Sequence, residues 1–361
     1  MNTSATAEFQ IERLSQVMEA HPEKPEECGG VLNPAAAARG PDGELYLFPR
    51  LVGHNNFSRI GFVRVQFNDE GNPVDVERLG YALEPQEPYE LHPRTGGCED
   101  PRVTYVEPLN LYVMVYVAWG PAGPRVAFAV SEDLRSWRRL GLAEFVPDPD
   151  PTYGVDFGQF DNKDGICFPR AVPGPDGRPA LAILHRPVYE TGEDIPEGVP
   201  DPRPSIWMSY CALEDVQRDV RALATLRGHH VLIHPEHSWE EQRIGGGTPP
   251  LLTSLGWVLL YHGVAGDIEP EASKEEQPVK YCAGVLVLDA DDPRRVLYRS
   301  SSPILVPETK EETEGVVPCV AFPTGWDDRG EGRVDVYYGM ADLRIGAGRL
   351  RIPDRLPPQA G

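Results

Sequence analysis

The stretch Arg125-Val126-Ala127-Phe128-Ala129-Val130, running into Ser131-Glu132-Asp133-Leu134-Arg135-Ser136-Trp137, decides the reading of the fold. A mostly apolar, β-prone run passes into an acidic turn segment, and the text beyond it turns basic and aromatic. The succession recurs. Ile206-Trp207-Met208-Ser209-Tyr210 leads into Cys211-Ala212-Leu213-Glu214-Asp215, and Ala283-Gly284-Val285-Leu286-Val287-Leu288 leads into Asp289-Ala290-Asp291-Asp292-Pro293. Each of these strands has a further candidate strand upstream. A repeated unit of strands and polar turns suits four-stranded blades packed radially around a channel. Units fit at 29–95, 96–155, 156–240, 241–310 and 311–361, so the expected fold is an all-β, five-bladed β-propeller.

Working outward, further β-like runs at 45–48, 59–67, 112–117, 180–184, 257–262 and 333–338 are separated by Pro, Gly and Asp. With 36 Gly and 38 Pro the chain has little room for long helices. Residues 1–27 read differently: they are polar, 11–18 carry helical spacing, and the text ends in His21-Pro22-Glu23-Lys24-Pro25-Glu26-Glu27. We therefore expect a short N-terminal helical extension over 1–28, followed by a propeller over 29–361. Such an extension could pack on a neighbouring copy and make a homo-oligomer.

At 361 residues and 40% hydrophobic content the chain can bury a large core. It contains no run of eighteen apolar residues and no secretory signal pattern, so neither a membrane span nor a membrane partner is expected. Six cysteines, at 28, 98, 167, 211, 282 and 319, lack Cys-x-x-Cys spacing and read as buried free thiols. A cytoplasmic enzyme without a metal site follows as the expectation. The formal net charge of −22 argues against nucleic acid as a partner. It also means that an anionic substrate would need a local cluster of Lys, Arg and His built against the protein's own field.

Candidate chemistry begins at Gly96-Gly97-Cys98-Glu99-Asp100-Pro101-Arg102-Val103-Thr104, where two adjacent carboxylates sit on a rigid turn into a strand. Cations stand at or beside strand ends elsewhere: Arg50 and Arg59, Lys163 in Asn162-Lys163-Asp164-Gly165, and Arg186 in His185-Arg186-Pro187. Arg243 stands beside the loop Gly245-Gly246-Gly247-Thr248-Pro249-Pro250, and His262 lies in Tyr261-His262-Gly263. Taken singly, each is as readily a structural ion pair as a ligand. Together they supply the cationic cluster that the net charge calls for. Tyr337-Tyr338-Gly339-Met340-Ala341-Asp342 adds a strand ending in a carboxylate.

These stretches, with Val31-Leu32-Asn33-Pro34-Ala35, Phe168-Pro169 and Gly256-Trp257, resemble glycoside hydrolase family 130, the β-mannoside phosphorylases and related β-mannosidases. They occur in the family's order from 29 to about 345. The resemblance implies a five-bladed propeller with its active site in the axial depression. It places the proton-donating aspartate at Asp100 and the phosphate-binding cations at Lys163, Arg186, Arg243 and His262. Asn33, Arg50, Glu99, Arg102 and Asp342 match positions that hold the sugar. The loop here reads Gly-Gly-Gly-Thr-Pro-Pro where the family usually has Gly-Ala-Gly-Pro-Pro-Pro.

The implied reaction is inverting phosphorolysis of a β-mannoside oligosaccharide to α-mannose 1-phosphate, with no cofactor and inorganic phosphate as co-substrate. Inversion needs an acid on one face of the sugar and a nucleophile on the other. Phosphate is already anionic and needs cations to aim it, not a base. Asp100 must hold a proton, so burial or the neighbouring Glu99 is expected to raise its pKa. The resemblance implies that this proton travels through a sugar hydroxyl. Two alternatives stand: an inverting β-mannosidase, for which Glu240 or Glu241 beside Arg243 offers a base, and a non-catalytic carbohydrate-binding propeller. Linkage and acceptor depend on loops at 148–159, 189–204 and 266–278, whose Pro- and acid-rich text fixes no conformation.

Overall fold

The computed structural model describes residues 8–37, 42–147, 156–189, 199–267, 273, 276 and 278–358. The three loops named for linkage and acceptor fall largely outside the described residues. The strands form five antiparallel, four-stranded blades. Blade I runs from Gly30–Ala36 through Tyr46–Val52 and Phe57–Phe67 to Pro73–Leu83. Blade II comprises Gly96–Val106, Leu111–Gly120, Gly123–Ser131 and Arg138–Leu142, joined to blade I by two parallel pairs at Phe57 and Ser58. Blade III is built on Asp161–Cys167, Pro179–Val188, Ile206–Ala212 and Thr225–Ile233. Blade IV is built on Arg243–Gly246, Gly256–Gly266, Val279–Leu288 and Val296–Arg299. Blade V takes Ala321–Asp328, Arg333–Met340 and Arg344–Arg351 from the C-terminal part of the chain, and its outer strand from the N-terminal part.

That outer strand is Gln10–Glu19, which corrects the helical reading of 11–18. The error has a physical cause. The strand carries bulges between Arg13 and Ser15 and between Gln16 and Met18. Each bulge inserts one residue and shifts the phase of the side chains. Leu14 and Val17 both pack toward blade I while Ile11 packs toward blade IV, so apolar residues at three-residue intervals on the two faces imitate helical spacing. The unit at 311–361 has only three strands of its own, and the chain's N-terminal segment completes it.

The core lies between blades rather than within them. Successive residues of a strand face opposite sides, and both sides of each blade are covered, so the strands read as continuous apolar runs. Met114 packs toward blade I beside Phe48 and Phe62. Its neighbour Val115 packs toward blade III beside Leu181 and Ile183. Leu259 faces blade III, whereas Leu260 faces blade V against Val336 and Leu350. The recurrent acidic segments are turns between third and fourth strands. In the opening stretch, Ser131 Oγ accepts from Leu134 N (2.8 Å) and Asp133 Oδ1 accepts from Ser136 N (2.8 Å). Asp289 plays the same part in blade IV, while blade III uses the short helix Leu213–Arg218.

A second repeat ties each blade's inner strand to its outer one. Glu27, Glu90, Glu240 and Glu312 each precede an inner strand and are buried. Each accepts from an arginine of the same blade's outer strand: Arg78 Nη2 at 2.9 Å, Arg139 Nε at 2.8 Å, Arg299 Nη2 at 2.5 Å and Arg13 Nε at 2.8 Å. Tyr116, Tyr261 and Tyr338 donate hydroxyls to the last three. Arg13 thus anchors the N-terminal strand as the other arginines anchor theirs. Among the described residues blade III shows no such lock; there a chain of contacts runs from buried His185 to Ser209 (2.7 Å) and on to part-buried His229 (2.8 Å).

All six cysteines are free; Cys98, Cys167, Cys211 and Cys282 are buried, but Cys28 is exposed. No helix among the described residues is long and apolar enough to cross a membrane.

Candidate active site

The inner strands of blades I, II and III share one irregularity. Their pairing slips between Leu32 and Ala35, between Glu99 and Arg102, and between Lys163 and Ile166. At each slip an Asn or Asp takes a left-handed backbone: Asn33 (φ 45°), Asp100 (φ 44°) and Asp164 (φ 54°). These residue types tolerate that region better than most others with a Cβ. The bulges break the alternation of the strands and turn all three side chains into one axial cavity of about 350 Å³.

Eight of the ten residues singled out from the sequence line that cavity: Asn33, Arg50, Asp100, Lys163, Arg186, Arg243, His262 and Asp342. Glu99 and Arg102 lie behind its wall, both 0% exposed. Arg102 spends its donors on the protein, to Gly247 O (3.0 Å), Gly246 O (2.9 Å) and Asp100 O (2.9 Å). Tyr281, Trp119, Phe322 and Asp164 also line the cavity and were not singled out as site residues. A larger cavity of about 990 Å³, between the outer strand of blade IV and the N-terminal strand, shares no lining residue with it.

On one side of the site Asp100 Oδ1 accepts from Asn33 Nδ2 (2.9 Å) and Arg50 Nη1 (3.2 Å). Burial pushes its pKa up, but Arg50, Arg102, the Asn33 hydrogen bond and Lys163 outweigh burial, so the carboxyl sits below its usual range. This corrects the expectation of a raised pKa. The raised member of the pair is Glu99, for which burial outweighs Arg50 and Lys163.

On the other side stand the cations. Arg186 Nε donates to Asp164 Oδ2 at 2.6 Å, while His262 Nε2 lies 3.9 Å from the same oxygen. Arg102 Nη2 approaches Asp164 Oδ1 at 3.6 Å. Burial opposes ionisation of Asp164, yet Arg186, His262 and Arg102 together hold it well below the usual carboxylate range. His262 is pushed down to about 3 by burial, against the pull of Asp164, and is neutral near pH 7. Its Nδ1 is buried with no partner among the described residues. Lys163 lays its ammonium 4.8 Å from the Trp119 ring centre, and Arg243 Nη2 donates to Tyr281 Oη at 2.6 Å.

The Gly-rich loop has a specific part in this packing. A Cβ on Gly245 would stand 2.2 Å from Asp164 Oδ2, 2.4 Å from His262 Cε1 and 2.8 Å from Arg186 Nε. Only glycine lets these three groups meet. Glu240, the base offered to the hydrolytic alternative, belongs to the blade IV lock and does not line the cavity; Glu241 is exposed and lies outside the lining as well.

Comparison with known proteins adds a family to this geometry. The model of glycoside hydrolase family 130, described as beta-1,4-mannooligosaccharide phosphorylase, matches residues 8–354. The chain belongs to glycoside hydrolase family 130. Among curated family relatives, a 1,2-beta-oligomannan phosphorylase of Thermoanaerobacter sp. (strain X514) is 29% identical over 294 residues, 77% of this chain and 80% of the relative. A beta-1,4-mannooligosaccharide phosphorylase of Ruminococcus albus is 32% identical over 259 residues, 71% of this chain and 63% of the relative. The solved beta-1,2-mannobiose phosphorylase of Listeria innocua superposes with a TM-score of 0.70 over 95% of this chain and 97% of that one. At 22% identity that likeness speaks for the fold.

Proposed function

We propose that this family 130 chain is a β-mannoside phosphorylase that inverts the anomeric centre. Phosphate attacks the anomeric carbon as the glycosidic bond breaks, and the leaving oxygen takes a proton that comes from Asp100. The products are α-mannose 1-phosphate and a sugar shortened by one mannose. The substrate class is manno-oligosaccharide or mannosyl-glucose, in line with the activities named for the curated relatives. One observation carries the reading: a carboxylate and a set of cations from separate blades line the same cavity. Cations gathered in this way suit an anionic nucleophile, which neither water nor a neutral sugar supplies. Glu240, held in the blade IV lock, is not placed to act as the base that hydrolysis needs.

In this reading Lys163, Arg186, Arg243 and His262 hold phosphate, with His262 donating a hydrogen bond as a neutral ring. Asn33, Arg50 and Asp342 face the sugar. Asp100 is ionised in the free site, so its proton must be taken up as the complex forms. A phosphate anion beside Lys163 cancels part of the positive field on Asp100, and a bound sugar excludes water. Both effects raise the proton affinity of a carboxylate.

The test is Arg186→Ala. Loss of one charge-assisted contact costs about 1.5–3 kcal/mol, so the apparent phosphate requirement should rise roughly ten- to a hundred-fold. The mannoside requirement should change far less. Equal weakening toward both substrates would remove Arg186 from the phosphate site.

A further inference from the structure

Glu99 was grouped with the sugar-holding residues, but its side chain never reaches the cavity. The bulge that turns Asp100 inward leaves Glu99 sealed directly behind it. What links them is Arg50. Its Nη2 donates to Glu99 Oε1 at 2.7 Å and its Nη1 to Asp100 Oδ1 at 3.2 Å. Ser58 completes the frame, accepting from Arg50 Nε (3.0 Å) and lying 3.3 Å from Glu99 Oε1. One guanidinium therefore forks across two carboxylates, and the shorter arm goes to the one that no substrate can touch. Glu99 Oε2 is buried with no hydrogen-bond partner among the described residues, so Arg50 and Ser58 are its anchors.

We infer that Glu99 is a positioning residue for the reaction: it takes the stronger arm of Arg50 and so limits how tightly that arginine holds the acid, Asp100. The inference rests on the phosphorylase reading only through the role of Asp100 as acid. A general acid must carry its proton when the bond breaks, and a carboxylate gripped by a full guanidinium fork gives up that proton too readily. Glu99 works against this by dividing the guanidinium, whose shorter arm it takes.

The other charged groups facing Asp100 are fixed. Arg102 lies on its own strand, Lys163 reaches it from blade III, and Asp342 of blade V acts on Arg50. Asp164, with Arg186 and His262, lies on the far side of Arg102, which acts on both aspartates. Glu99 is the carboxylate of this set that can be neutralised without removing a cavity-lining group.

The test is Glu99→Gln, read through the alkaline limb of the kcat profile, where activity falls as the acid loses its proton. The expected result is a shift of that limb to lower pH by about one unit. Turnover should then be about tenfold lower on the alkaline side and little changed on the acid side, with the mannoside KM nearly constant. Glu99→Asp, which keeps a carboxylate for Arg50 to hold, should return the limb toward that of the unaltered enzyme. If Glu99→Gln does not fold, Ser58→Ala should move the limb in the same direction by a smaller step, since it weakens the hold on Glu99. An unmoved limb in the folded variants overturns the inference, as does a rise in mannoside KM with the limb in place. The proton on Asp100 can also be followed without turnover, by infrared difference spectra assigned with Asp100→Asn. An unchanged titration there overturns the inference even if mannosides prove not to be the substrates. Loss of the phosphate requirement in the unaltered enzyme would instead overturn the phosphorylase reading.

Discussion

Asp100→Asn is expected to lower turnover by about two to four orders of magnitude, the usual contribution of a positioned general acid. The amide oxygen can still accept from Asn33 Nδ2 and Arg50 Nη1, so the cavity wall and the fold should survive. What disappears is the proton and the capacity to be recharged between turnovers. Sugar affinity should stay within a few-fold, and the loss should fall on kcat. Steady-state kinetics with a saturating mannoside and phosphate make the check. Near-normal turnover in Asp100→Asn would show that the acid lies elsewhere, because the alternative carboxylate of the pair, Glu99, is sealed from the cavity.

The second large effect concerns stability. Asp164 is buried and is the common partner of Arg186, Arg102 and His262. Removing the carboxylate of this buried network leaves the Arg186 guanidinium without its hydrogen-bonded partner, at a cost of about 3–5 kcal/mol. Asp164→Ala should therefore lower the thermal midpoint by several degrees in calorimetry at neutral pH. Bound phosphate should restore part of the loss, because it would take the place of the missing negative charge. A midpoint within a degree of the unaltered protein would mean that Asp164 does not hold these cations together.

Much of the fold could be read from the chain because its units repeat. The acidic turns at Asp133 and Asp289 are local, each closed by side-chain bonds to the next few amides, so they leave a mark in the text. The Glu–Arg locks were not legible, since each joins residues 49 to 299 positions apart and leaves no local pattern. Arg13 gives no sign in its own segment that it answers Glu312, and two bulges disguised its strand as a helix. The site shows the same division. Asp100, Lys163 and Arg186 stand in recognisable motifs, and the axial cavity gathers them. The charge state of Asp100 was not legible, because the arginines that set it come from blade I and from behind the cavity wall. Asp164 stood within a motif already noted, between Lys163 and Gly165. Its weight appears only when Gly245, a residue without a side chain, lets Arg186 and His262 close on it.

The most direct measurement of the central claim takes the unaltered protein with β-1,2- and β-1,4-linked mannobiose, in phosphate buffer and in buffer free of phosphate. Products would be followed by proton and phosphorus magnetic resonance. Cleavage of at least one of the two that depends on phosphate, and yields α-mannose 1-phosphate with inverted configuration, is the expected result. Release of free mannose at the same rate without phosphate would contradict it and assign the axial cations another purpose.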